Sequence, residues 1–319
     1  MKLISFKDVN INMKKITLAL GGGGIKGFAH IGVIRQLLKE DFEIAAIAGT
    51  SVGGIVGSLY AAGFSPQEME SFYQSLDFQK MINRSPNDAP SLVGLQGFFN
   101  FLHEKLGDIS FDDLKIPFVS TAVDINTGRE IIINTGKILP AIQATSAIPG
   151  LFPAVRMGAM DLVDGGVLDP VPVSAARWLF PDYPIVAVSL SVPNSEWGEA
   201  EKIQVPSYVR VPDFLMQHFA QLRLSQAMKV FVDSNDITSN MIAELRLRIE
   251  KPDVLLHPKI YKYSIMDPIN IDEAIAYGEE SVKESLKDLN ASFSAFKRIN
   301  RWMRPSYMKG TLLSEIKPD

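Results

Sequence analysis

An α/β fold, built on a mainly parallel sheet with helices on both faces, is the class this sequence predicts, on three observations. Short apolar runs alternate with helix-period patterns through the first two thirds of the 319 residues. The first run ends in four consecutive glycines and passes straight into a helical pattern, as a strand-to-helix turn does. The second run leads into a helix made almost wholly of small residues, the kind that lies close against a sheet.

Taken in order, KITLAL (residues 15–20) reads as the first strand and GGGGIKG (21–27) as the turn after it. Residues 27–40 read as a helix with Phe28, Ile31, Ile34 and Leu38 on one face. IAAIA (44–48) is a second buried strand, and residues 52–62 form the small-residue helix. Ser65 begins a further helix as N-cap, with Pro66 at the first position and Glu68 completing a capping box. Later strands are expected at 118–123, 130–133 and 185–190, with Pro/Gly-rich turns around 147–153 and 164–172. The stretch 193–212 reads as a long loop or lid. Helical patterns follow it, then a short strand at 254–256 and a helix over 271–289.

Composition narrows the function. The chain is 46% hydrophobic and 21% charged, ordinary for a globular protein, and its formal charge of −4 gives no reason to expect a nucleic-acid partner. It has no cysteine, which excludes disulfides, a thiol nucleophile and thiolate metal sites, and fits a reducing compartment. The first fifteen residues lack the apolar run and cleavage site of a signal peptide. Residues 44–64 carry no charge and are long enough to cross a bilayer, but so many small side chains insert poorly, and they parse as strand, turn and helix. The expectation is a cytoplasmic protein, with peripheral membrane association through its tail.

Gly49-Thr50-Ser51-Val52-Gly53 fits G-x-S-x-G between a strand and a helix. Such a turn presents a hydroxyl with room for an acyl group, and the helix N-terminus favours developing negative charge. The glycine loop before it can aim successive backbone N–H groups at one anion. Two functions need that cluster: an oxyanion hole, and a pyrophosphate site in which Gly22, Gly24 and Gly27 fit G-x-G-x-x-G. A dinucleotide site wants an acidic residue at the end of the second strand, whereas Asp41 and Glu43 precede that strand. A dinucleotide-binding module therefore stands as the alternative. Of the four histidines, His30, His103, His218 and His257, none sits in a Gly/Pro-bounded catalytic loop. Asp164 does, directly before Gly165 and Gly166, and a carboxylate in contact with a serine hydroxyl can take its proton.

Four segments in order, GGGGIKGFAHIGV, GTSVGG, ATSAIPGLFPAV and DGGVLDPVPV, resemble the patatin-like phospholipase family, in particular its bacterial members related to the neuropathy-target-esterase group. The similarity is near-continuous over 16–63 and 118–173. The resemblance implies a three-layer α/β/α fold, a serine acyl-ester hydrolase of phospholipase A, lysophospholipase or carboxylesterase type, and a catalytic domain over 14–290. It implies a Ser51–Asp164 dyad in place of a triad and an oxyanion hole carried by Gly22, Gly23 and Gly24. Gly27, Gly49, Gly53, Gly165 and Gly166 support these motifs, and Lys26 either attracts the anion or braces the loop. No metal or organic cofactor is implied, and the partner is an acyl lipid or ester. A catalytically inactive lipid-binding protein on the same fold is a further alternative. The tail, 291–319, is basic and aromatic; its cations beside Phe293, Phe296, Trp302 and Tyr307 suit an anionic lipid surface. The Phe-rich stretch 91–107 offers an apolar wall for an acyl chain, or a helix packed on the core.

Overall fold

The structure is a computed structural model that describes residues 14–74, 96–193, 220–261, 263, 269–303 and 310–316. The loop or lid read over 193–212 lies outside the described residues from 194 onward.

Strands β1 (Lys14–Leu20), β2 (Phe42–Gly49), β3 (Phe118–Asp124), β7 (Ile185–Val188) and β8 (Val254–Leu256) run parallel in the order β3-β2-β1-β7-β8. Antiparallel partners extend the sheet on the β3 side: β4 (Arg129–Ile133), β6 (Met160–Asp164) and, beyond β6, β5 (Val155–Met157). The sheet is thus mixed and mostly parallel. The two-residue side-chain alternation of a strand gives it two buried faces. On β1, Ile16, Leu18 and Leu20 enter the main core while Ala19 enters the opposite one. Helices α1 (Phe28–Lys39), α2 (Val52–Ala62), α3 (Pro66–Gln74), α4 (Gln96–Leu106) and, later in the chain, α8 (Ile271–Glu284) bury apolar residues in the main core. α6 (Val173–Leu179) and Ala243 of α7 (Ala220–Glu250) cover the other face. Between them α5 (Ile138–Thr145) packs on β3 and β6.

Several elements differ from their expected form. A 3₁₀ turn over Gly24–Gly27 precedes α1, because the glycine loop bends before the helix can start. The expected helix over 271–289 breaks at Ser285 into α8 and α9 (Leu286–Ala291). The short β5 and β6 lie between the two expected turns, where the sequence suggests no element. The capping box stands: Glu68 accepts from the Ser65 N–H at 2.8 Å, and Ser65 Oγ accepts from the Glu68 N–H at 3.2 Å.

The described part of the tail packs against the domain. Phe293 rests on Phe42 with ring centroids 6.1 Å apart, and Arg301 pairs with Asp253 at 3.3 Å. β9 (Thr311–Leu312) adds to β4. Helix α10 (Ala295–Trp302) and the residue after it leave Phe296, Ile299, Trp302 and Met303 exposed. Among the described residues, no helix is long and apolar enough to cross a membrane.

Candidate active site

The parallel register places Leu20, Gly49 and Val188 side by side at the carboxyl ends of β1, β2 and β7. That is where ligand crevices form in open α/β sheets. On the other side of β2, β3 pairs Ser120 with Gly49 and Ala122 with Asp164, which brings the end of β6 to the same crevice. The sheet alone therefore gathers the glycine loop, Ser51 and Asp164.

Thr50 and Ser51 alone join β2 to α2, and Ser51 is the N-cap of the helix. It is buried, with φ 55° and ψ −126°, a left-handed backbone that L residues rarely adopt. The turn closes because its flanks are glycine: a Cβ on Gly49 would lie 2.5 Å from the Gly53 carbonyl oxygen, and one on Gly53 2.1 Å from that of Leu20. Gly53→Ala is accordingly expected to destabilise the fold by about 2–3 kcal/mol, since backbone on backbone cannot yield as a side chain can. Urea unfolding of the variant measures this; an unchanged midpoint would refute the contact. The Ser51 N–H donates to Thr145 Oγ1 at 3.0 Å. Beneath it, the Thr50 hydroxyl donates to the Asp169 carbonyl at 2.8 Å, so the Thr121 hydroxyl, 2.7 Å away, must donate to Thr50.

The glycine loop runs against Ser51. A Cβ on Gly22 would stand 3.3 Å from Ser51 Cβ. The Gly21 N–H is bonded to the Val188 carbonyl at 3.0 Å and the Gly22 N–H to the Pro170 carbonyl at 2.9 Å. Gly22 therefore has no free N–H to offer an oxyanion, which corrects the expectation of three glycine donors. Gly23 (φ 153°) and Gly24 (φ 58°) turn the chain, and no residue among those described accepts from their N–H groups. The same holds for Val52, whose N–H opens α2. Gly27 lets α2 approach: a Cβ there would sit 2.0 Å from Val52 Cγ2. Lys26 is buried and donates from Nζ to the Leu190 carbonyl at 3.1 Å, a tie between the loop and the chain after β7.

Asp164 ends β6 and is 5% exposed. Its Oδ1 accepts the Gly166 N–H at 2.7 Å, and Gly165 has no room for a side chain against Thr121 Oγ1, 2.1 Å from where a Cβ would be. Burial pushes its carboxyl up to about 6; hydrogen bonds from the Ser51 hydroxyl and the Gly166 N–H hold it from rising further. A carboxylate so tuned is a usable base near neutral pH.

Among the described residues, no histidine is hydrogen-bonded to Ser51 or Asp164. His30 is fully buried in α1, with Nε2 on the Gly21 carbonyl at 2.8 Å, and burial pushes it down to about 4. It stays neutral and supports the glycine loop. His103 is exposed on α4, and His218 lies outside the described residues. The acids of the dinucleotide alternative are also misplaced. Asp41 sits in the turn before β2 (φ 59°), and Glu43 pairs with Lys15 at 3.1 Å near the start of β1, a strand length from the glycine loop.

Thr50, Thr121 and Thr145 escaped the sequence reading. Thr50 lies inside G-x-S-x-G and Thr145 inside the ATSAIPG segment, so a motif signal existed, but hydroxyl networks leave no periodic trace.

Fold and site together define an α/β protein with a nucleophile-type elbow facing a glycine loop. A family model described as patatin-like phospholipase matches residues 18–177, half of the chain. The chain belongs to the patatin-like phospholipase family. It is 33% identical over 189 residues to an uncharacterized NTE family protein of Mycobacterium tuberculosis, covering 58% of this chain and 51% of the relative. It is 27% identical over 172 residues to the lysophospholipase NTE1 of Meyerozyma guilliermondii, covering 52% of this chain and 12% of that one. The chain thus spans about half the length of the mycobacterial relative. Among solved structures, VipD from Legionella pneumophila matches with TM-score 0.50 at 11% identity, over 88% of this chain and 67% of that one, a likeness of fold.

Proposed function

We propose that this protein is a serine acyl-ester hydrolase acting on acyl lipids through a Ser51–Asp164 dyad. The observation that carries the reading is the buried carboxylate of Asp164, raised to about 6 with the Ser51 hydroxyl among the groups acting on it, at the same crevice as that serine on its strained elbow. Asp164 takes the Ser51 proton as Oγ attacks the acyl carbonyl, and the acyl-oxygen bond to the leaving alcohol breaks as Asp164 returns that proton to it. The N–H groups of Gly23 and Gly24, with that of Val52 at the helix start, face the developing oxyanion. Water, activated by the same carboxylate, then releases the acid. Lysophospholipids, phospholipids and simple carboxylic esters are the substrate classes. Hydrolysis of a lysophospholipid and of a soluble chromogenic ester by purified protein tests this, with Ser51-dependent turnover of both expected. Turnover of neither would leave a lipid-binding protein on this fold.

The apolar segment of α4 serves the core. Leu102 and Leu106 are buried, and Phe98, Phe99 and Phe101 pack half-buried against the main core. Residues 91–95 lie outside the described residues.

Peripheral membrane contact falls to α10. Phe296 is 72% and Trp302 82% exposed, with Lys297 and Arg298 on the same helix. Aromatic and cationic side chains together suit an anionic lipid surface. Phe293, just before this helix, packs on Phe42 where β2 begins, about 23 Å of strand from Gly49, and Arg301 of the helix pairs with Asp253 just before β8. It can tether the domain but does not present the ester. The double variant Phe296→Ser, Trp302→Ser is expected to sediment less with anionic liposomes while hydrolysing a soluble ester at an unchanged rate. Undiminished sedimentation would remove α10 from this role.

A further inference from the structure

One short segment, from Asp164 to Pro170, touches every working part of the site. Asp164 stands at its start. The Asp169 carbonyl accepts from the Thr50 hydroxyl on the elbow, and the Pro170 carbonyl accepts from the Gly22 N–H on the glycine loop. A shift of this segment would therefore move the base, the nucleophile turn and the oxyanion loop together.

The far side of the segment is gripped by Arg246 of α7. Its Nη1 donates to the Leu168 carbonyl at 3.0 Å and to Glu130 Oε2 at 2.9 Å. Its Nη2 donates to Asp169 Oδ2 at 2.9 Å, and its Nε to Glu250 Oε1 at 2.8 Å. Glu250 in turn accepts the Ser174 N–H at 2.9 Å, at the start of α6. One guanidinium thus faces three carboxyl groups, from β4, α7 and the segment itself. Asp169 is fully buried, and Glu130 and Glu250 are nearly so.

Three ionised carboxylates around one cation would leave excess negative charge out of water, which is costly. A second observation resolves this. Glu130 Oε1 and Asp169 Oδ1 are both buried, and neither has a donor among the described residues. Glu130 is one of the neighbours that raise the Asp169 carboxyl, and Arg246 Nη1 and Nη2 hold the two acids on one guanidinium. A proton on Asp169 removes one of the three negative charges and gives this carboxyl a donor. Burial and the neighbouring acids push the Asp169 carboxyl well above the usual range, which keeps that proton in place.

We propose that Arg246, together with the buried Asp169 and Glu130 carboxyl groups it bridges, is the positioning device of this site, fixing the 164–170 segment so that Asp164, the Ser51 elbow and the glycine loop hold one geometry. Arg246 touches none of the reacting atoms and acts through the Leu168 carbonyl and the Asp169 side chain. The inference rests on the Ser51–Asp164 reading.

The test uses the full chain and a soluble ester. Arg246→Met is expected to lower kcat about 10- to 100-fold, as small misplacements of catalytic groups do, with KM within about twofold. It should also displace the pH dependence of kcat/KM that Asp164 sets. Arg246→Lys should recover part of kcat, since an ammonium can still reach Leu168 O and one carboxylate. Glu130→Gln keeps an acceptor for Arg246 Nη1 and should stay within about twofold of the starting kcat, whereas Glu130→Ala should not. A merely structural cluster predicts lower melting temperatures with kcat and the pH profile unchanged in the folded variants; that result would overturn the proposal. Should Arg246→Met fail to fold, Glu130→Ala against Glu130→Gln decides, and equal kcat for the two would overturn it. Failure of the dyad reading looks different: the unmodified protein would show no Ser51-dependent hydrolysis at all.

Discussion

Ser51→Ala is expected to lower kcat/KM for a soluble ester by roughly 10⁴- to 10⁶-fold while leaving the fold intact, because removal of a nucleophile closes the covalent path. The Oγ sits on a backbone with φ 55° and ψ −126°, strain of about 1–3 kcal/mol that alanine shares and glycine does not. Ser51→Gly should therefore be equally inactive yet unfold at a higher temperature than the unmodified protein. The pair separates loss of chemistry from loss of structure. Wild-type turnover by a purified, folded Ser51→Ala would show that the nucleophile is another residue.

Asp164→Asn has the second largest expected effect, about 10³-fold or more in kcat/KM. Asparagine keeps the shape and can still accept the Gly166 N–H, but it cannot take a proton. In the unmodified protein Asp164 must be ionised to act, so kcat/KM should rise with pH through about 6 and then level. Stability runs the other way. The folded-state carboxyl is raised above its ordinary value of 3.8, so the folded state favours the protonated form. That advantage is complete below the ordinary value and is lost as pH rises through about 6. Above pH 6 the buried charge costs on the order of 2–3 kcal/mol, and Asp164→Asn should be more stable than the unmodified protein at pH 8 but not at pH 4. Melting curves at the two pH values check the sign. His30→Gln should leave the rise near pH 6 in place, because His30 is neutral above about 4 and bonded to Gly21 O. Its cost would fall on the glycine loop.

Much of this site was legible in the sequence because its parts are local. Strand, glycines and helix follow one another within single motifs, and the small-residue helix after Ser51 occupies the predicted span, Val52–Ala62. The placement of Asp164 was legible only as a loop carboxylate; the β3–β6 register that delivers it depends on β6, too short to carry a periodic pattern. Gly22 illustrates the limit from the other side. Its residue type suits an oxyanion donor, but whether its N–H is free depends on Pro170, far along the chain. Arg246 is the plainest case. It lies near the end of α7 among other charged residues, and only the fold brings it to Leu168, Asp169 and Glu130. The tail shows the same thing: its aromatics read as one group, yet Phe293 packs on Phe42 while Phe296 and Trp302 face outward.

The central claim is that Ser51 is a nucleophile activated by Asp164 and not by a histidine. The most direct measurement is reaction of the full chain with a fluorophosphonate, with the modified peptide mapped by mass spectrometry and the labelling rate followed against pH. The account predicts one label per chain, on Ser51, at a rate that rises through about pH 6 and collapses in Asp164→Asn. A label on another residue, or labelling of Ser51 that Asp164→Asn leaves unchanged, would contradict it.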